Sequence, residues 1–328
     1  MNIYDIARLA GVSTATVSRA ISGKNISEKT RKKILEIIEK ENFRPNSFAQ
    51  GLNQTSVKIV GILISEIDDL YYAKAVSVLE KQLKLNNYDM ILYCTGTDLS
   101  TTSQYISQMI YRNVDAIFII GSKFHSQQKA VSKLLKNTDI PTITINLETN
   151  EDYIYNVISD EFEAFKNAVA FLNQKGHDSF LYMYDTDSAS GLNKLNGFKK
   201  GIDKCQLDIK NQHILKCKRN IESAKQTALD ILKKNPKITA VICSADEIAA
   251  GVVKAAKELD ISIPKDLAVI GCDNSVISDC STPAITSIDN RVGTLCEIGV
   301  NLFNSLVDKK TMAQKNVVPC EIIEKQTT

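Results

Sequence analysis

Arg19 carries a guanidinium whose parallel donors match the O6 and N7 acceptors of guanine. It closes the stretch Thr14-Ala-Thr-Val-Ser-Arg19, where Thr14 and Ala15 begin a short helical pattern. The Ala15 methyl can meet a thymine methyl. Farther along, Asp185, Asp187, Asp246 and Asp273 follow apolar runs. Carboxylates so placed can form an acid–base pair or hydrogen-bond a hydroxyl-rich ligand, and the second use needs fewer assumptions. Tyr71 and Tyr72 follow the first such run and can stack on a flat or sugar-like ligand. One core tyrosine beside one surface tyrosine is an equally good account of that pair. No Gly-x-Ser-x-Gly elbow, Gly-x-Gly-x-x-Gly turn or phosphate loop occurs, so an enzyme is not expected. His125, His177 and His213 are scattered and no Cys-x-x-Cys occurs, which leaves no zinc-ligand cluster. Neither metal nor cofactor is expected.

The elements that must position Arg19 are short. Ile6-Ala7 and Ala10 precede Gly11, and Val17 follows it by six residues, the spacing of two helices joined at a sharp turn. Gly11 supplies the backbone freedom of the turn. Val17 faces back onto Ile6, Leu9 and Ala10, and Ser13 caps the second helix. Residues 26–41 read as a third helix with Ser27 as N-cap and Ile34, Leu35 and Ile38 as its apolar stripe. Lys24, Asn25 and Thr30 can contact phosphate or serve ordinary loop and cap roles. Pro45 stops this helix, and Asn46 can cap a short one ending near Leu52. Gly51 weakens that segment by about 1 kcal/mol relative to alanine. Asn53–Lys58 is a polar link.

The 328 residues leave room for two or three domains. No apolar run reaches the ~20 residues of a membrane span, and no uninterrupted apolar segment opens the chain, so neither membrane nor secretion is expected. Cys94, Cys205, Cys217, Cys243, Cys272, Cys280, Cys296 and Cys320 suit free thiols in a reducing cytoplasm. Residues 1–58 hold ten Lys/Arg and five Asp/Glu, whereas the rest hold thirty and thirty-three. A basic head on a mildly acidic body suits a head that touches phosphates, although Arg31-Lys-Lys33 alone reads equally as a solvated helix face.

Beyond Lys58 the pattern alternates. Strands are expected at Ile59–Ile64, Met90–Cys94, Ala116–Ile120 and Thr142–Ile145, then at Ser179–Tyr184, His213–Leu215, Ala240–Cys243 and Leu267–Gly271. Helical patterns run over Ala73–Leu85, Thr102–Tyr111, Phe162–Gln174, Ile221–Lys234 and Glu247–Leu259, and Asp160 can cap one of them. Such alternation implies two parallel α/β subdomains with a cleft between. Ligands of such sheets sit beyond the C-terminal strand ends, where the tyrosine pair and the aspartates fall.

Residues 3–52 resemble the DNA-binding head and hinge of the LacI/GalR family of bacterial regulators. Ile6-Ala7, Ala10-Gly-Val-Ser13, Thr16-Val-Ser-Arg19, Ser27-x-x-Thr30-Arg31 and Pro45-Asn46-x-x-Ala49-x-x-Leu52 carry the likeness. It continues through Gly176-His177, Asn196-Gly-Phe198, Asp246-Glu-x-Ala-x-Gly251, Ile263-Pro-x-Asp-Leu-x-Val-Ile-Gly271, Asp273-Asn274, Thr282-Pro283 and Thr286-Ser-Ile288. The resemblance implies a small all-α helix-turn-helix head on an α/β body of two Rossmann-like, periplasmic-binding-protein-like subdomains. The implied domains are the head at 1–45, hinge helix and linker at 46–58, and an effector-binding and dimerisation body at 59–328. Within the body, 59–159 with 291–319 and 160–290 with 320–328 form the two subdomains.

The function it implies is a dimeric repressor of a carbohydrate operon on a near-palindromic DNA operator. A small effector, a sugar or sugar phosphate, would act as its switch. Thr14, Ala15 and Arg19 would contact bases, and Ser13, Thr16, Asn25 and Thr30 phosphates. Asn46, Ala49 and Leu52 would serve the hinge in the minor groove, with Leu52 wedged into the central base step. Tyr71, Tyr72, Asn146, Lys194, Asp246, Asp273 and Asn290 would bind the effector. Lys194 stands where the family commonly has arginine, and Ala245 where it usually has asparagine. A phosphocarrier protein as co-repressor is an alternative, but the arginine of that branch is replaced around Ser281-Thr282-Pro283. A non-sugar ligand, or a binding protein without regulatory output, completes the alternatives. Pro319–Lys325 is a strand-like run with no leucine heptads after it, so a tail-mediated tetramer is not expected.

Overall fold

The computed structural model describes residues 3–21, 26–41 and 56–328. The chain divides into two compact units, Met1–Ile59 with Asn113–Asp115, and Val60–Arg112 with Ala116–Thr328.

In the first unit, α1 (Ile3–Ala10), α2 (Thr14–Ile21) and α3 (Glu28–Lys40) enclose Ile6, Ala7, Ala10, Val17, Ala20 and Ile34. Gly11 takes φ +65°, and its N–H donates to the Arg8 carbonyl at 3.2 Å. The turn then lets α2 start under the side chain of Ser13, which accepts from the Thr16 N–H at 3.2 Å. Ser27 does the same for α3, accepting from the Thr30 N–H at 3.2 Å. Lys33 Nζ donates to the Ala10 carbonyl at 2.9 Å and so ties α3 to the end of α1. Two expected core residues lie elsewhere: Leu9 is 53% exposed and Leu35 43%. At about 100° per residue each stands roughly a quarter turn round from its helix's buried face. Ile37 takes the place of Leu35 beside the expected Ile34 and Ile38 in the α3 stripe.

The second unit holds two six-stranded sheets. The first sheet uses β1 (Ile59–Ile64), β2 (Asp89–Cys94), β3 (Ala116–Ile120), β4 (Thr142–Ile145), β5 (Ile154–Ser159) and β11 (Lys315–Val318), in the order β11-β5-β4-β3-β1-β2. The second uses β6 (Phe180–Tyr184), β7 (His213–Lys216), β8 (Ala240–Cys243), β9 (Ala268–Cys272), β10 (Thr286–Asp289) and β12 (Glu321–Ile323), in the order β12-β10-β9-β8-β6-β7. β3 pairs in parallel with β1 and β4, and β5 with β4 and β11. In the second sheet β6, β7, β8, β9 and β10 are parallel, and β12 lies antiparallel on β10. The chain passes between the sheets after β5, after β10 and between β11 and β12.

Helices cover the sheets: α4 (Leu70–Leu85), α5 (Leu99–Tyr111), α6 (Gln128–Leu135), α7 (Glu161–Gln174), α8 (Ala189–Lys204), α9 (Ile221–Lys234), α10 (Asp246–Glu258), the short α11 (Val276–Cys280) and α12 (Val292–Val307). Alternate strand residues face opposite helix pairs. Phe180, Tyr182, Ile242 and Ile270 pack with α7 and α8. Leu181, Met183, Val241 and Val269 pack with α9 and α10. In the first sheet Ile62, Ile64, Phe118 and Ile143 meet α4 and α12.

Some of these elements carry no plain signal. β5 contains Asn156, which is buried because its amide bonds Thr149 N–H and carbonyl at 2.9 and 3.2 Å. α8 contains Gly197 and Gly201, whose lack of side chains lets α7 approach. A Cβ at Gly197 would stand 2.3 Å from the Phe162 carbonyl oxygen, and one at Gly201 2.7 Å from Val169 Cβ. All eight cysteines are free. Among the described residues no helix is long and apolar enough to cross a membrane.

Candidate functional site

α2 presents the residues expected to meet DNA. Val17 and Ala20 are buried beneath it, which turns Ala15 and Arg19 outward and exposed and leaves Thr14 half-buried. The Ser13 and Thr16 hydroxyls bond each other at 2.9 Å, as do those of Ser27 and Thr30 at 2.7 Å. Ser13, Thr16 and Thr30 are therefore fixed by cap geometry at helix starts, where N–H groups and the helix dipole favour phosphate. Asn25, Asn46, Ala49 and Leu52 lie outside the described residues.

In the second unit a cleft of about 380 Å³ opens at the C-terminal strand ends, between the two sheets. Tyr71, Tyr72 and Asn146 come from the first subdomain, and Lys194, Asp273 and Asn290 from the second. Both tyrosines sit in the first turn of α4, where Asp69 accepts from the Tyr71 N–H at 2.9 Å as N-cap. Their rings meet edge-on at 5.5 Å. Tyr72 is buried, and burial pushes its hydroxyl up to about 12. Neither of the two accounts of the pair describes it fully, since the half-buried Tyr71 and the buried Tyr72 both line the cleft.

Asp273 occupies φ +98°, a strained position for a residue with a side chain. Asn290 Nδ2 donates to its Oδ1 at 2.8 Å, and Arg219 Nη2 to its Oδ2 at 2.8 Å. Asn290 thereby orients Asp273, and its own carbonyl accepts from Ser159 Oγ at 2.6 Å. Asn146 accepts from the Ser159 N–H at 2.8 Å, so both asparagines brace the strands where the chain crosses between subdomains.

Lys194 is nearly buried, with its ammonium 3.5 Å from Glu161 and donating to the Ser244 carbonyl at 3.1 Å. Burial works against that charge, but Cys272, Glu161 and Asp273 outweigh it and hold the ammonium well above the ordinary lysine range. Asp246 does not reach the cleft wall. It is fully buried, accepting from Ser275 N–H and Oγ at 2.7 and 2.8 Å and from Ser287 Oγ at 2.6 Å. Burial, then the nearby Asp273, push its carboxyl up to about 7, against the donors that lower it. Ala245 caps α10 with backbone alone and is packed into the core. Asp185 faces the cleft and accepts from Ser244 Oγ at 2.8 Å, whereas Asp187 pairs with Lys216 at the exposed surface.

The residue that the sequence reading missed is Arg219. It lies past the end of β7, one residue before Asn220, the N-cap of α9. Its guanidinium reaches Asp273 at 2.8 Å, Glu247 at 3.4 Å and, across the cleft, Asp69 at 3.3 Å. The available signal was its place past a strand end, as one of three arginines after residue 58. Burial raises the carboxyls of Asp69 and Glu247 while Arg219 lowers them, and burial prevails. Across the whole lining, seven carboxylates face three cations.

Comparison with known proteins places both units. Residues 2–46 match the model of bacterial regulatory proteins of the lacI family, and residues 169–328 match a periplasmic binding protein-like domain. A transcriptional regulator of the helix-turn-helix type from Lachnoclostridium phytofermentans is 35% identical over 331 residues, covering 100% of this chain and 99% of that protein. Catabolite control protein A of Priestia megaterium is 27% identical over 332 residues, with 100% and 99% covered. The Lac repressor dimer, solved bound to operator and the anti-inducer ONPF, has the same fold. It superimposes with a TM-score of 0.88 at 20% identity, covering 100% of this chain and 98% of that one.

Proposed function

This chain belongs to the LacI family of bacterial regulatory proteins, and on that premise we propose that it is the dimeric repressor of a carbohydrate-utilisation operon. It is a DNA-binding transcriptional regulator, as its relatives are. In the proposed division, residues 1–45 read DNA, 46–58 form hinge and linker, and 59–328 sense the effector and hold the dimer. Each α2 enters the major groove of one half of a near-palindromic operator. Arg19 pairs with guanine, Ala15 and Thr14 read neighbouring edges, and Ser13, Thr16, Asn25 and Thr30 hold phosphates. Asn46, Ala49 and Leu52 carry the hinge, with Leu52 opening the central base step of the minor groove.

The observation that supports this most is the exposure of Ala15 and Arg19 on a helix anchored from behind by Val17 and capped by Ser13. The body supplies the switch: a hydroxyl-rich effector between Tyr71 and Tyr72 on one side and Lys194, Asp273 and Asn290 on the other favours one spacing of the subdomains. Its influence on DNA equals its difference in affinity between the two states. Sequencing the genomic fragments retained by the full-length protein and by Leu52→Ala tests the reading. Near-palindromic sites, recovered by the first and lost by the second, are expected. Fragments without a common motif would return the head to nonspecific contact.

A further inference from the structure

Resting on the reading of the cleft as an effector site, we propose that this effector is a small polyhydroxylated amine of the amino-sugar type, bound through its positive charge. The charges of the cleft do not cancel. Lys123 pairs with Glu66, and Lys194 with Glu161, so two of the three cations are spent one for one. Arg219 alone faces Asp69, Glu247 and Asp273. Asp185 has a neutral partner, the Ser244 hydroxyl at 2.8 Å. A cleft with this imbalance concentrates negative potential between low-dielectric walls, which draws cations and repels phosphates and carboxylates.

Three buried polar atoms in the same walls lack a hydrogen-bond partner: two point to the same ligand, and the third, Arg219 Nε, is a donor that a ligand hydroxyl can meet. Glu247 Oε2 and Tyr71 Oη have no hydrogen-bond partner in the protein. A carboxylate oxygen of this kind needs a donor, and an ammonium supplies up to three. The Tyr71 hydroxyl can accept from a sugar hydroxyl or donate to one. Glu247 and Asp273 face the cleft from the second subdomain, while Asp69 faces it from the first. A bound ammonium between them therefore takes over part of the burden that Arg219 now carries across the cleft, and so draws the two walls together. The serine hydroxyls at 122, 188 and 190, which also line the space, suit the ligand's own hydroxyls. The carboxylates are strung along both walls, and among the described residues no group of acidic, histidine or cysteine side chains gathers at metal-ion spacing.

The test is titration calorimetry on the full-length protein with matched pairs, glucosamine against glucose and galactosamine against galactose, and with glucose 6-phosphate as the anion. At least one amine is expected to bind about tenfold more tightly than its neutral partner, the gain of an ionic hydrogen bond in a partly buried site. Glucose 6-phosphate should bind more weakly than glucose, and the amine advantage should shrink as salt rises. Asp185→Asn and Glu247→Gln should each narrow the affinity gap between an amine and its neutral partner. Equal or tighter binding of the neutral sugar or the phosphate overturns the proposal. So does an advantage that survives both substitutions, or the absence of binding by every member of the series. Retention of specific genomic fragments by the same preparation separates the failures. If retention persists, only the charge inference falls; if it is lost, the regulator reading falls with it.

Discussion

Asp246 and Asp273 show how far a residue's type alone can mislead. Both are aspartates past the end of a strand, yet one is a structural clamp and the other faces the cleft. Asp246 is sealed by Ser275 and Ser287, and its carboxyl is pushed from an ordinary 3.8 up to about 7. A carboxyl raised on folding favours the fold while it stays protonated. That contribution is complete below the ordinary value and is lost as pH rises through about 7. The melting temperature of wild type should therefore fall between pH 5 and pH 8 more steeply than that of Asp246→Asn. Parallel pH profiles would contradict the assignment. That Asp273, Asn290, Asn146 and Lys194 line the cleft was legible through the family pattern. Arg219 was not, because its importance comes from three carboxylates, at positions 69, 247 and 273, that converge only in the folded chain.

Elements with strong periodicity were legible nearly to their ends. β1, β3, β4 and β8 fall on their expected residues, and α9 spans Ile221–Lys234 as its pattern predicts. In the head, the caps at Ser13 and Ser27 follow directly from residue type. The elements that escaped are those whose composition serves a neighbour. β5 carries a buried asparagine that braces a loop, and β10 and β11 are short and polar in part. α8 holds glycines where a helix former would be expected, because α7 lies against it. Gly201→Ala tests that account. The added methyl meets Val169 and the Lys166 carbonyl at under 3.0 Å. Overpacking of this kind should destabilise the body by about 1–3 kcal/mol, seen as a lower urea midpoint at unchanged slope. An unchanged or raised midpoint would show that α7 and α8 have slack between them.

At the scale of the molecule, strand–helix alternation predicted two parallel subdomains, and the sheets have that form. Alternation could not predict that β11 returns to the first sheet and β12 to the second, since both are short edge strands defined by their partners. The family resemblance is what suggested a split of the C-terminal segment near residue 319. Taken as a regulator, the molecule must transmit a change in the cleft to its grip on DNA, and such coupling is reciprocal. The most direct measurement is the operator Kd of the full-length protein with and without a saturating ligand that raises the body's melting temperature. The operator is one recovered from its own retained fragments. The account predicts a change of about fivefold or more, in either direction, with the ligand's affinity shifted by the same factor when operator is bound. Identical operator affinity in the presence and absence of a ligand that demonstrably fills the cleft would contradict it.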